Sequence, residues 1–253
     1  MTVNENQPLT LPVEDALAWA VPTHALTGDA DRLQIEAWAP GMFTFRTASG
    51  QTSRLDIPAL PPALEIKGPW ALRFQSGRGA PDAVALETLI SWTEHPEPGV
   101  KYFSGSATYV KMIEIPADRL GPGKALYLDL GRVKDFAEPV LNGKPLGVLW
   151  KPPFRVDLTG AARPGRNELT VRVTNRWPNR LIGDEQLPEN VEWAGIRLKA
   201  WPDWLLKGTP RTSGRITFTT WHHWKKDDPL LESGLLGPVQ LVSSVRVPAK
   251  PGR

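Results

Sequence analysis

The stretch Phe103-Ser-Gly-Ser-Ala-Thr-Tyr-Val-Lys-Met-Ile-Glu-Ile-Pro116 alternates apolar and polar residues from Gly105 onward, over the length of a full strand. Ala125-Leu-Tyr-Leu-Asp-Leu130 reads as a second strand, and Ala137-Glu-Pro-Val-Leu141 leads into Asn142-Gly143. That dipeptide is the strongest short hairpin signal, because both of its residues tolerate a positive φ. Pro145–Trp150 runs back from the turn. Phe154-Arg-Val-Asp-Leu158 and Asn167-Glu-Leu-Thr-Val-Arg-Val-Thr-Asn175 close the series, with the turn Arg163-Pro-Gly-Arg166 between them. Strands at roughly ten-residue spacing, separated by turn signals, predict a sandwich or barrel. The segment 103–175 therefore sets the fold class as all-β, with an antiparallel β-sandwich at its centre.

Upstream, Leu64–Phe74 reads as a strand kinked at Gly68-Pro69, and residues 84–92 as a short helix. The cluster Pro58-Ala-Leu-Pro-Pro62 reads as a linker and places a domain boundary. Before it lie a strand at Leu33–Trp38 and a hairpin made by Met42–Thr47 and Thr52–Ile57, with helical turns predicted at 13–21. Residues 1–62 are thus a small β segment or partial accessory domain, and residues 63–253 the sandwich. Downstream, strands are expected at Gly214–Trp221 and Pro238–Val245.

Composition narrows the function classes. The net charge of +3 comes from dispersed basic residues, with no run longer than Lys225-Lys226, so a nucleic-acid footprint is not expected. There are no cysteines, which excludes disulfides and thiolate chemistry. No apolar run approaches the ~20 residues of a membrane span. Met1-Thr-Val-Asn-Glu-Asn-Gln7 has neither a basic region nor a long apolar segment, so no export signal is read in this chain.

No phosphate-binding, nucleophile-elbow or zinc-protease motif occurs. His222 and His223 are adjacent, and strand neighbours face opposite sides, so a metal shared by the two is not expected. No cofactor is predicted; a structural calcium is allowed for but not predicted. Glycosidic chemistry needs two carboxylates ~5–9 Å apart. Glu138, Asp184, Glu185 and Glu192 are the candidates, but no spacing among them implies catalysis.

The informative excess is tryptophan, with eleven residues, most of them in the C-terminal half. Indole faces stack on the apolar C–H faces of sugars, while hydroxyls need planar polar partners. Asn175-Arg-Trp-Pro-Asn-Arg180 and Thr220-Trp-His-His-Trp224 offer both kinds of group. The carbohydrate-binding candidates are Trp177, Asn179, Arg180, Asp184, Glu185, Trp221 and His222. Trp70, Trp92 and Trp150 are expected in the core, because burial of so large an apolar side chain is strongly stabilising.

The run Leu128-Asp-Leu-Gly-Arg-Val-Lys-Asp-Phe-Ala-Glu-Pro-Val-Leu-Asn-Gly-Lys-Pro-Leu-Gly147 resembles the jelly-roll, galactose-binding-like sugar-binding domain of family 2-type glycoside hydrolases. Three flanking motifs look like the C-terminal region of glycoside hydrolase family 106, the α-L-rhamnosidases. They are Ile90-Ser-Trp-Thr-Glu-His-Pro-Glu-Pro-Gly-Val-Lys-Tyr-Phe-Ser-Gly105, Trp177-Pro-Asn-Arg-Leu-Ile-Gly-Asp-Glu-Gln-Leu-Pro188 and Pro229-Leu-Leu-Glu-Ser-Gly-Leu-Leu-Gly-Pro238. The resemblance implies a non-catalytic accessory region of an exported enzyme whose catalytic glutamates lie on an upstream barrel, so no catalytic residue is assigned here. The implied partners are that barrel and a carbohydrate, with rhamnose-containing glycans the first choice. The alternatives are a purely structural domain packed on the barrel and, last, a small enzyme using the carboxylates of 184–192.

Overall fold

In the computed structural model the described residues are 24–27, 34–46 and 52–248. The predicted helical turns at 13–21 lie outside them. The N-terminal strands are β1 (His24–Thr27), β2 (Gln34–Ala37), β3 (Gly41–Arg46) and β4 (Thr52–Ile57). Next come β5 (Leu64–Glu65), β6 (Trp70–Phe74), β7 (Ala83–Leu86) and the short helix α1 (Pro98–Lys101). The strands of the deciding stretch are β8 (Ser106–Ile115), β9 (Lys124–Asp129), β10 (Arg132–Lys134), β11 (Phe136–Leu141), β12 (Lys144–Pro145), β13 (Arg155–Asp157) and β14 (Gly165–Thr174). Then follow α2 (Pro178–Asp184), β15 (Trp193–Ala194), β16 (Arg197–Leu198), α3 (Asp203–Leu206), β17 (Gly234–Gly237) and β18 (Gln240–Pro248).

Two six-stranded antiparallel sheets face each other, as the all-β reading requires. One runs β1-β2-β18-β9-β13, with β5 also on β18; the other runs β12-β11-β14-β8-β6-β7. The longest pairing aligns β14 with β8, setting Val171 opposite Tyr109 and Val173 opposite Ala107. Alternation explains the packing. On β14, Leu169, Val171 and Val173 point into the core, while Glu168 and Arg172 point out. Trp70, Leu72, Phe74, Tyr109, Leu126, Leu128 and Leu241 fill the space between the sheets. The kink at Gly68-Pro69 is where the chain changes sheets: β5 pairs with β18, Gly68 turns with φ 86°, and β6 joins β8.

Of the N-terminal strands, β1 and β2 join one sheet of the sandwich. β2 pairs with β18, setting Ala37 opposite Val245. Buried Glu36 accepts from Ser244 Oγ at 2.5 Å and lies 3.2 Å from Arg246 Nε. β3 and β4 form the expected hairpin.

Three expectations need correction. Residues 83–86 form β7 on the edge of β6 rather than the start of a helix. Trp150 is 64% exposed, not core: Leu149 bridges Ala137 and packs inward, so its neighbour turns to solvent. Gly214–Trp221 is not a strand apart from one bridge at Trp221, for a reason that lies in the loop described next.

Candidate functional site

Between β14 and β17 the chain leaves the sandwich in a long excursion rich in tryptophan. Two buried asparagines bolt its exit to its return. Asn175 Nδ2 donates to Phe103 O and to Ser233 Oγ, and its Oδ1 accepts from Gly105 N. Asn179 Nδ2 donates to Leu231 O at 2.7 Å and to Ser233 Oγ at 2.8 Å, while its Oδ1 accepts from Leu231 N. A planar amide can donate and accept at once, so one side chain closes both edges of the loop.

Helix α2 starts on Pro178, whose missing N–H costs nothing in the first turn. One turn apart it carries Arg180 and Asp184, both buried. Arg180 Nε lies 3.1 Å from Asp184 Oδ1, an ionic contact without the angle of a hydrogen bond. Burial lowers the Arg180 pKa, and the Asp184 charge opposes that shift. Asp184 Oδ2 accepts from Ile216 N at 3.0 Å, Thr217 N at 2.6 Å and Thr217 Oγ1 at 2.6 Å. Those backbone donors would have served a strand partner. A buried carboxylate takes them instead, which is why 214–221 does not extend as a strand despite its alternation. Arg211 Nη1 donates to Thr217 O, pinning the same turn from the other side.

Above α2 lies a small ribbon. β15 pairs with β16, and Arg197 on β16 bridges Trp221 in antiparallel register. Opposed residues share a face, and successive residues alternate faces. One face therefore carries Trp193 and His222, and the other carries Ala194, Arg197 and Trp221.

The first face looks inward. Trp193 stacks on His222 with ring centres 4.8 Å apart and planes 17° apart. His222 Nε2 is 2.9 Å from Glu185 Oε2, and Arg215 Nη1 donates to Glu185 Oε1 at 2.8 Å. The Trp193 indole donates to Glu189 Oε2 at 2.8 Å, and Arg215 Nη2 lies 3.5 Å from the same oxygen. Glu185, Glu189 and His222 bring their ligating atoms within 4.8 Å of one another. Arg215 already supplies the positive charge between the two carboxylates, so the set reads as an ion-pair network. The space among these side chains is about 30 Å³, room for one or two waters rather than a sugar ring.

Burial pulls the Glu189 carboxyl upward, but hydrogen bonds from the Trp193 indole and the Asn190 N–H, with Arg215, outweigh it and hold it below the ordinary glutamate range. Such a carboxylate contributes stability that is present above its ordinary titration range and lost as pH falls through its depressed one. The inward face should therefore loosen below about pH 4.5 while the sandwich holds. Tryptophan fluorescence should report this acid transition, and Glu189→Gln should remove it. An unchanged transition in that variant would assign it to other carboxylates.

The second face looks outward. Arg197, Lys199, Trp201 and Trp221, together with Leu198 and Thr220 from the strand positions between them, line an open groove of about 400 Å³. Trp221 is 57% exposed and Trp201 56%. Trp201 is tilted against Phe218, which meets Trp204 edge-on, so its ring has support from below. The Trp221 backbone is held at both N and O by Thr219 Oγ1.

The seven candidates from sequence thus separate. Asn179, Arg180 and Asp184 are buried and bonded inside the loop. Glu185 and His222 face the ion-pair network. Trp177 is exposed elsewhere, with the Arg78 guanidinium 4.8 Å over its ring. Trp221 alone reaches the groove. Of the catalytic candidates, Glu138 pairs with Arg172 and Glu192 with Lys199. Arg197 and Trp201 line the groove but lie outside those seven. The signal for Arg197 was the short alternation Trp193-Ala-Gly-Ile-Arg-Leu198, turning at Gly195 with φ 65°.

No family model matches the sequence. A curated relative from Formosa agariphila, provisionally named a β-glucuronidase, is 45% identical over 202 residues. That match covers 80% of this chain and 17% of the relative. Among solved structures, a rhamnosidase from Novosphingobium sp. PP1Y superposes with a TM-score of 0.60 and 28% identity, over 87% of this chain and 23% of that one. The chain thus spans less than a quarter of the length of either relative, and it is a glycoside-hydrolase-related β-sandwich.

Proposed function

We propose that this chain acts as a non-catalytic accessory region of a rhamnosidase-like glycoside hydrolase and meets carbohydrate on the outward face of its tryptophan-rich excursion. The observation that carries the reading is the groove in which two exposed indoles, Trp201 and Trp221, lie beside unburied polar side chains. An indole left half in water forgoes the burial that usually places it in a core, and a sugar ring would restore that contact. The carboxylates of α2 and its C-terminal loop support the non-catalytic part, since Arg180 and Arg215 hold Asp184 and Glu185. The similarity to a rhamnosidase supports rhamnose-containing glycans as the first ligands to try.

Calorimetric titration with rhamnose-containing oligosaccharides should give weak, saturable binding. Trp221→Ala should weaken it by up to about tenfold, since a stacked ring is worth up to about 1.5 kcal/mol. Equal binding by Trp221→Ala would move the contact elsewhere on the chain.

A second reading is favoured by a different patch. Phe136, Val148 and Trp150 are exposed at one edge of the sandwich, where 149 bridges 137 and the outward residues gather. This patch suits packing against a catalytic barrel. Loss of barrel association in Trp150→Ser, with glycan binding intact, would establish that role beside the first.

A further inference from the structure

The outward groove carries an unbalanced charge. Lys199 is tied to Glu192 at 2.8 Å, and both are exposed. Arg197 is different: it is exposed, and among the described residues no side-chain acceptor or carboxylate is paired with it. It stands opposite Trp221 on the same face of the ribbon. A guanidinium offers a planar fork of donors that matches an oxyanion, and it cannot lose its charge near neutral pH. The groove therefore joins a stacking plane to a free cation one strand away.

Resting on the glycan-binding reading above, we propose that this groove selects sugars bearing an anionic group. The ring would lie on Trp221, and a uronate carboxylate or a sulfate ester would face Arg197. Both groups present the same chemistry to a guanidinium, and the test separates them.

Titrate the intact chain with three oligosaccharides of matched length: one containing a uronic acid, one carrying a sulfate ester, and one neutral. At least one anionic glycan should bind about fivefold tighter than the neutral one, a gain that fits a partly exposed ion pair. The gain should shrink on raising salt, because exposed charges are screened. Arg197→Gln should reduce the anionic ligand to the neutral affinity and leave the neutral ligand unchanged. Lys199→Gln removes the same charge from the same groove, yet should cost less, since Lys199 already has a partner. Both positions are exposed, and a thermal melt checks that each variant folds.

Equal affinity for neutral and anionic sugars would overturn the charge selection while leaving glycan binding in place. So would an Arg197→Gln variant that keeps the preference, or a Lys199→Gln variant that loses as much. No binding of any glycan in the millimolar range would remove the underlying reading and this one with it.

Discussion

Asp184→Ala should lower the stability of the tryptophan-rich excursion by about 3–5 kcal/mol, the range for removing one partner of a buried ion pair. The carboxylate receives three hydrogen bonds from Ile216 and Thr217 and faces the Arg180 guanidinium at 3.1 Å. Alanine leaves a buried cation without its counter-charge and two backbone N–H groups without an acceptor. The loss falls on the loop first, because the sandwich has its own core. Hydrogen exchange should show amides 216 and 217 losing protection while those of β8 and β14 keep theirs. Asp184→Asn preserves an acceptor and should cost less. A change below about 1 kcal/mol in the alanine variant would mean that Arg180 finds another partner.

Tyr109→Phe should destabilise the sandwich itself by about 3 kcal/mol, from two buried donors left unsatisfied. Tyr109 is fully buried on β8, and its hydroxyl accepts from the Trp92 indole at 2.7 Å and from Leu235 N at 2.9 Å. Burial pushes the phenol pKa upward, and the two donated hydrogen bonds oppose that shift without cancelling it, so the neutral hydroxyl persists at any working pH. Phenylalanine preserves the ring packing against Trp70 and Trp92 but offers neither donor an acceptor. For a chain of this size the melting temperature should fall by roughly 6–12 °C. An unchanged melt would show that water replaces the hydroxyl.

The sandwich was legible because its residues answer to one neighbour relation, alternation across a strand. Tyr109, Val171 and Leu128 face inward for the same local reason, and the Asn142-Gly143 turn fixes where β11 reverses. The resemblance added the glycoside hydrolase connection, which the strand pattern could not supply. The excursion was less legible because its structure depends on distant partners. Ile216 and Thr217 alternate like strand residues, but a carboxylate some thirty positions earlier claims their amides. Asn179, Arg180 and Asp184 are polar and flanked by tryptophan, which suggested a surface for sugar. They are buried because the loop needs an internal polar frame in place of a hydrophobic core. Trp221, flanked by polar residues in the sequence, lies exposed in the outward groove. Its neighbour His222 has the same flanks, but alternation sends the two side chains to opposite faces. Arg197 emerged only from its cross-strand bridge to Trp221.

The most direct measurement follows the indole N–H signals of the intact chain by two-dimensional NMR while a rhamnose-containing or anionic oligosaccharide is added. Glycan contact on the outward face predicts that the Trp201 and Trp221 signals move together and saturate, while those of buried Trp70 and Trp92 stay fixed. Unmoved signals at Trp201 and Trp221, or shifts confined to Trp177, would contradict it.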